Sequence, residues 1–402
     1  MSQICIVGGG FGGLYTALHL TRLPWNQKPS IVLIDKSDRF LFTPLLYELI
    51  TAELEPWEIA PSFVELLKNT GVRFIHATAT AIDTENRRIS LSGEVAPAEI
   101  SYDRLLLALG GETPINIVPG ATEYALPFRT LKDAQRLNER LTQLEASSKD
   151  KIRVCIAGGG SSGVELACKI SDRLGDRGRV RLVDRNSTIL TDSTTANRAA
   201  AEKALLARNV WIDLSTSVVQ INDGEVVLDY GGGNDILPVD IVMWTVGNRM
   251  SKLVESLPLP HSPRGGRVIT EPTLQVQYHP ELFAIGDLAL CRDADGQLLP
   301  ANAQVAYQQS QYCATNIWAS LNQRHLTPFK YLELGEFLSL GIEDAAMSVF
   351  NQFTVEGVPA IMARRLIYLM RMPTLEHQMK VGLNWLTKPM VNAIEKVTGA
   401  IN

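Results

Sequence analysis

Three kinds of residue in this chain could do chemistry together: glycines at fixed spacing, lone carboxylates at strand ends, and neutral amides four residues apart. Residues 3–14 read QICIVGGGFGGL and residues 153–164 read RVCIAGGGSSGV. In each, a short β-branched run leads into a Gly-x-Gly-x-x-Gly turn, formed by Gly8, Gly10 and Gly13 and again by Gly158, Gly160 and Gly163. Each turn is followed by a second apolar run that ends in an acid, Asp35 and then Asp184. The first glycine makes a tight turn, the second lets the backbone approach a pyrophosphate, and the third allows close helix–strand packing. The N–H groups at the helix start then meet the phosphates. The acid accepts hydrogen bonds from a ribose. One such turn is a weak signal; two in the same context predict two dinucleotide sites. Far downstream, an apolar strand closes in Gly286-Asp287, a carboxylate able to hydrogen-bond a ribityl chain.

The elements that must position these groups repeat as well. Short runs with period-2 patterning and polar breaks, over 72–109 and again over 210–247, predict an antiparallel meander in each half. The run ending in Leu109-Gly110 reads as the strand that returns to the first fold, and Thr245-Val-Gly247 as its counterpart. The expected fold class is α/β. It comprises two Rossmann-like dinucleotide-binding units with antiparallel β-meanders, followed by a C-terminal amphipathic helical region. The 402 residues fit two or three domains, divided as 1–120 with 265–328, 121–264, and 329–402.

Composition narrows the function classes. A net charge of −5, with no basic tail and no zinc-type Cys/His spacing, argues against nucleic acid as a partner. The histidines show no ligand spacing, so no metal is expected. Five cysteines, an odd number with no two close together, predict reduced thiols in a cytosol-facing protein rather than a disulfide framework. The start of the chain lacks a signal-peptide pattern, and no apolar run approaches the ~20 residues that span a bilayer.

With these motifs in place, residues 1 to about 320 resemble the flavoproteins with two dinucleotide-binding domains. That resemblance implies FAD in the first unit and NADH or NADPH in the second. Within them, Phe42-Thr-Pro-Leu-Leu-Tyr-Glu48 is similar to the FTPLLPE signature of type II NAD(P)H:quinone oxidoreductases, with Tyr47 in place of a proline. Ala303-Gln304-Val-Ala306-Tyr-Gln308 is similar to their AQxAxQ helix beneath the flavin. Gln304 and Gln308 share one helix face, and a neutral amide pair can hydrogen-bond quinone carbonyls without adding charge. The family carries a glutamate at the position of Glu165, facing nicotinamide and flavin. A carboxylate there could also simply satisfy the helix dipole. The resemblance further implies flavin contacts from Phe11, Gly12, Lys36, Thr43, Pro44, Thr80, Leu109, Gly110, Gly286 and Val305, and nucleotide contacts from Gly247. Asp184 suits a ribose 2′-hydroxyl while Arg185 beside it could pair with a 2′-phosphate, so use of both nucleotides is expected. Disulfide reductases of this superfamily need a cysteine pair beside the flavin, and none is apparent; Cys313 reads as a small buried hydrophobe on a helix.

The segment LELGEFLSLG departs from the lysine-containing YRDKG-like stretch of many type II enzymes. It looks more like the cyanobacterial and plastid branch, which includes the demethylphylloquinone reductases of vitamin K1 synthesis. The implied function is non-proton-pumping reduction of a lipophilic membrane quinone, demethylphylloquinone or plastoquinone. A soluble reductase of an iron–sulfur protein and a non-catalytic flavin-binding sensor are the alternatives. After Pro359 the chain holds six Lys or Arg and two Asp or Glu. On a helical wheel Met362, Leu366, Ile367, Leu369 and Met370 oppose Arg364, Tyr368 and Arg371. Further on, Leu383, Leu386, Met390, Val391 and Ile394 oppose Lys380, Asn384, Lys388, Asn392 and Lys396, with Pro389 expected to split or kink the helix. A basic amphipathic end predicts a peripheral protein bound in the plane of an anionic membrane, on the cytoplasmic or stromal side. Packing on the protein body, or a homodimer interface, would use the same pattern.

Overall fold

The computed structural model describes residues 2–349 and 353–399. Its framework is two sheets built alike. In the first, strands run in the order Arg73–His76, Ser30–Asp35, Gln3–Val7, Arg104–Leu107 and His279–Ala284, all parallel, with Gln275–Val276 added antiparallel at the edge. In the second, Trp211–Asp213, Gly178–Val183, Ile152–Ala157 and Ile241–Trp244 repeat that order, also parallel, and the edge strand Ala125–Pro127 comes from the chain before them. The strands of both centres are apolar and buried along nearly their whole length, as a parallel sheet covered on both faces requires. Cys5 and Cys155 occupy matching positions on the two central strands and are buried there.

Each sheet carries a three-stranded antiparallel satellite, Thr78–Asp83 with Arg88–Ser92 and Glu99–Ser101, and Ser217–Asn222 with Glu225–Asp229 and Asn234–Pro238. The register slips at corresponding places, between Ala79 and Ala81 and between Val218 and Gln220. The meanders are therefore shorter than the sequence pattern suggests. Their expected first and last strands belong to the parallel sheets, because alternation and full burial look alike over four residues. The chain leaves the first sheet after Leu107 and returns after Trp244. The two crossings are zipped together where Glu112 and Arg249 exchange backbone hydrogen bonds of 2.7 and 2.9 Å.

The long Ala303–Leu321 helix packs along the first glycine-turn helix, Phe11–Leu20. Beyond it lie a hairpin-built sheet of Glu336–Ser339, Ala345–Val349 and Phe353–Glu356 and two helices, Val358–Met370 and Leu375–Gly399. The second helix is continuous through Pro389, so the expected split does not occur. Arg364 and Tyr368 are buried, while Met362, Leu366, Met370, Leu375, Met379, Leu383 and Leu386 stand 59–73% exposed in a stripe along both helices. The polar side is the one that docks. His377 Nε2 lies 2.8 Å from the Glu58 carbonyl, and Trp385 Nε1 donates to the Glu58 carboxylate at 2.7 Å. Asn384 donates to the same carboxylate and Lys388 to the Glu53 carbonyl. Three of the basic charges meet the protein's own carboxylates: Arg364 meets Glu48, Lys388 meets Glu55 and Lys380 meets Glu376. Met390, Val391, Asn392, Ile394 and Lys396 lie outside the residues whose side chains are described. Among the described residues, no helix is long and apolar enough to cross a membrane.

Candidate functional site

The two glycine turns superpose in detail. Gly8 and Gly158 adopt φ of +104° and +110°, closed to other residue types. A Cβ on Gly13 or on Gly163 would stand 1.8 Å from the carbonyl oxygen of Gly8 or Gly158, so the helix presses against its strand. At Gly10 and Gly160, by contrast, nothing lies within 4 Å of a Cβ position. The turns are tight behind and open in front, which fits a pyrophosphate laid against the helix start. Asp35 accepts from the N–H of Gly9 at 2.5 Å and of Ser37 at 2.7 Å; Asp184 accepts from Gly159 at 2.5 Å and Asn186 at 2.7 Å. Burial raises the Asp35 carboxyl, against the pull of those N–H groups. Gly12 backs onto Ile285, and a Cβ there would meet that side chain at 2.9 Å.

A cavity of about 990 Å³ opens between the two folds. Phe11, Thr43 and Pro44 line it from the first fold and Gly160, Glu165 and Gly247 from the second, with Gln304 on the third side. A cleft of about 380 Å³ runs along the second glycine turn past Gly158, Asp184 and Arg185. The two share Gly160, Leu190, Thr191, Thr245 and Gly247, so one leads into the other. An elongated ligand on the second turn can thus extend into the cavity.

Other expected residues stand apart from this cavity. Val305 is buried. Lys36 is exposed, 4.0 Å from Glu112, and Thr80 is an exposed strand residue bonded to the Ser90 carbonyl. Leu109 packs on the first core, and Gly110 takes a positive φ of +65° at the crossing. Gly286 has φ +75°, and its N–H donates to Gln309 Oε1 at 2.8 Å. Asp287 forms an ion pair with Arg129 at 2.9 Å. The amide pair splits. Gln304 reaches the cavity and donates to the Tyr331 hydroxyl at 3.0 Å. Gln308 does not line the cavity: its amide is bound on both sides by the Leu332 backbone, at 2.8 and 3.0 Å. Helical spacing put the two on one face, but the chain after Lys330 covers the second.

Behind the cavity wall lies a cluster of buried charge. Glu165, 7% exposed, accepts the Ser339 N–H at 2.8 Å, and burial pushes its carboxyl up to about 8, against the pull of Arg364. Glu48, the last residue of the FTPLLYE run, is paired with Arg364. Burial would raise its carboxyl too, but Arg364 and then Lys169 hold it below the usual range. Arg364 also donates to the Pro44 carbonyl at 2.7 Å, and Lys169 pairs with Glu53. Two buried carboxylates are thereby driven apart, one held charged and one able to keep a proton near neutral pH. Tyr47 donates from its hydroxyl to Ser162 Oγ at 2.9 Å, and its ring centre lies 5.4 Å from that of Phe128. Arg364, Lys169, Arg129 and Gln309 were not expected at the site; of these only Gln309, next to the AQxAxQ run, had a local signal. All five cysteines are buried and free, and none lines either cavity. Burial pushes the Cys155 and Cys168 thiols up to about 12. Among the described residues no cluster has the make-up of a metal site.

Two dinucleotide folds that meet over a shared cavity define an oxidoreductase of the two-nucleotide type. The chain belongs to the pyridine nucleotide-disulphide oxidoreductase family, which it matches over residues 2–310. It is 49% identical to the demethylphylloquinone reductase NdbB of Synechocystis sp., over 391 residues and 96% of each chain. It is 43% identical to the alternative NAD(P)H-ubiquinone oxidoreductase C1, chloroplastic/mitochondrial, of Arabidopsis thaliana, over 98% of this chain and 82% of that one. Among solved structures, NDH2 from Plasmodium falciparum in complex with NADH shares the fold, with a TM-score of 0.84 at 15% identity over 96% of this chain and 98% of that one.

Proposed function

We propose that the chain is an FAD-dependent NAD(P)H:quinone oxidoreductase. Its first glycine turn, with Asp35 and Asp287, holds FAD, and its second, with Asp184 and Arg185, holds NADH or NADPH. The observation that carries this reading is the cavity walled by both folds and continuous with the second-turn cleft. FAD, when bound, accepts a hydride from NAD(P)H and hands two electrons onward; the residues described here place and protonate its partners. Phe11, Thr43 and Pro44 form the flavin side of the cavity, and Gly160 and Gly247 pass the nicotinamide end of the nucleotide inward. Gln304, with an amide rather than a charge, binds a quinone carbonyl. Reducing a quinone to a quinol takes two protons and the hydride brings one. Glu165, protonated near neutral pH, supplies the other and is refilled from solvent. The similarity to the demethylphylloquinone reductase favours a naphthoquinone, with plastoquinone as the competing acceptor.

The exposed apolar stripe is read as a lipid contact, which makes the protein peripheral to a membrane on the side that holds NAD(P)H, cytoplasmic or stromal. Because Arg364 is turned inward to Glu48, and Lys380 and Lys388 are paired with carboxylates of the chain, that contact rests on apolar insertion more than on anionic headgroups. Anaerobic stopped-flow on the flavin-loaded protein tests the function. NADH or NADPH should bleach the flavin, and naphthoquinone should restore it faster than an iron–sulfur protein does. Faster recovery with the iron–sulfur protein, or slow turnover with every acceptor, refutes the quinone assignment.

A further inference from the structure

We propose that Arg129 is a positioning residue. It holds Asp287 in place for the ribityl chain of the flavin and ties that contact to the second dinucleotide fold. The inference rests on the reading that Asp287 serves the flavin.

The main chain of Arg129 belongs to the second fold. It follows the edge strand Ala125–Pro127, and its N–H donates to Asp133 at 3.1 Å. The same carboxylate accepts the Thr130 N–H at 2.8 Å in the capping box that starts the Leu131–Glu145 helix. From that anchored base the side chain crosses to the first fold. Nη2 lies 2.9 Å from Asp287 Oδ2, in the turn that follows the strand His279–Ala284. Nη1 reaches Asn248 Oδ1 at 3.4 Å, on the returning crossing beside the Glu112–Arg249 zipper. One guanidinium thus touches the flavin-side turn and the hinge between the folds, and it lines the cavity as well.

A carboxylate on a short turn is free to rotate unless something holds it. A charge-assisted bond from a planar guanidinium fixes one oxygen and leaves the other to accept a ligand hydroxyl. The pair is partly open to solvent, at 36% and 21% side-chain exposure, so it adds little to fold stability and its removal leaves the protein folded. Its effect falls on what Asp287 binds.

The test measures flavin release from the holoenzyme after dilution, read as recovery of free-flavin fluorescence, with thermal melting as a check on folding. Arg129→Met should release flavin about tenfold or more faster than wild type. Arg129→Lys, which keeps the charge without the fork, should fall between. Asp287→Asn should also speed release, and the double variant should be no worse than the worse single one. If Asp287→Asn loses flavin while Arg129→Met and Arg129→Lys retain it like wild type, or if the two effects simply add, Arg129 does not position Asp287. If Asp287→Asn itself retains flavin, the assignment of Asp287 fails instead. Should Arg129→Met melt well below wild type, the Lys variant decides: wild-type release from it overturns the proposal.

Discussion

Replacing Glu165 with Gln should stabilise the protein at high pH and slow its reaction with quinone, and the two effects have one cause. The carboxyl ordinarily titrates near 4.5 and is pushed up to about 8 by burial. Below 4.5 both the folded and unfolded chains hold the proton and nothing is lost. Between 4.5 and 8 the unfolded chain gives the proton up and the folded one does not, so stability falls as pH rises; above 8 the loss is complete. At roughly 1.4 kcal/mol per pH unit, that loss is on the order of 4–5 kcal/mol. A glutamine still accepts the Ser339 N–H and never ionises. The stability difference between Glu165→Gln and wild type should therefore widen in the variant's favour from pH 5 to pH 8.5, measured by urea unfolding. In stopped-flow, reoxidation of wild type by quinone should decline above pH 8 as the acid loses its proton. In the variant it should be ~100-fold slower or more and flat with pH. Parallel stability curves, together with identical pH profiles of reoxidation, would refute the account of Glu165 as a buried proton donor.

Gln304→Leu should slow reoxidation by quinone about tenfold and leave reduction by NAD(P)H near normal. Gln308→Leu, which unties the Leu332 backbone, should instead lower the melting temperature and change the two half-reactions alike. Gly10→Val should purify colourless, since its side chain would fill the space open at the first turn; a full flavin spectrum would move FAD elsewhere. Leu366→Asp with Met370→Asp should cut binding to neutral lipid vesicles and raise the apparent KM for long-tailed quinones more than for short ones. Retained vesicle binding together with a loss of dimers on gel filtration would make the stripe an interface between copies of the chain.

What was legible in the sequence was what local geometry dictates. The glycine turns could be read because a positive φ at Gly8 and the close approach at Gly13 leave no other residue acceptable, and because the pattern occurs twice. The meanders were overextended because four-residue strands such as Arg73–His76 carry too little pattern to tell a buried parallel strand from a half-buried one. The C-terminal helices were legible as amphipathic, but the pattern left open whether the apolar face meets lipid or the protein. A helical wheel separates two faces and cannot say which one meets the protein when carboxylates elsewhere, such as Glu48 and Glu58, are waiting for the polar one. Glu48 and Arg364 stand 316 residues apart, so nothing local links them. The tie between Gln308 and Leu332 was not legible, because spacing shows which residues share a face but not what later folds beside it.

The helix Val358–Met370 also sets a distance. Tyr368 on its inner side lines the cavity, while Leu366 and Met370 point away from the protein. Only one helix diameter, ~10 Å, separates the two surfaces. Where the exposed apolar stripe meets lipid as proposed, a quinone whose ring sits in the cavity would keep its tail in the bilayer throughout the reaction. Its entry would then be a short sideways step from the interface, not an extraction into water. Tail length should then govern how much quinone the membrane holds near the protein, and have little influence once the tail is long enough to cover that one step.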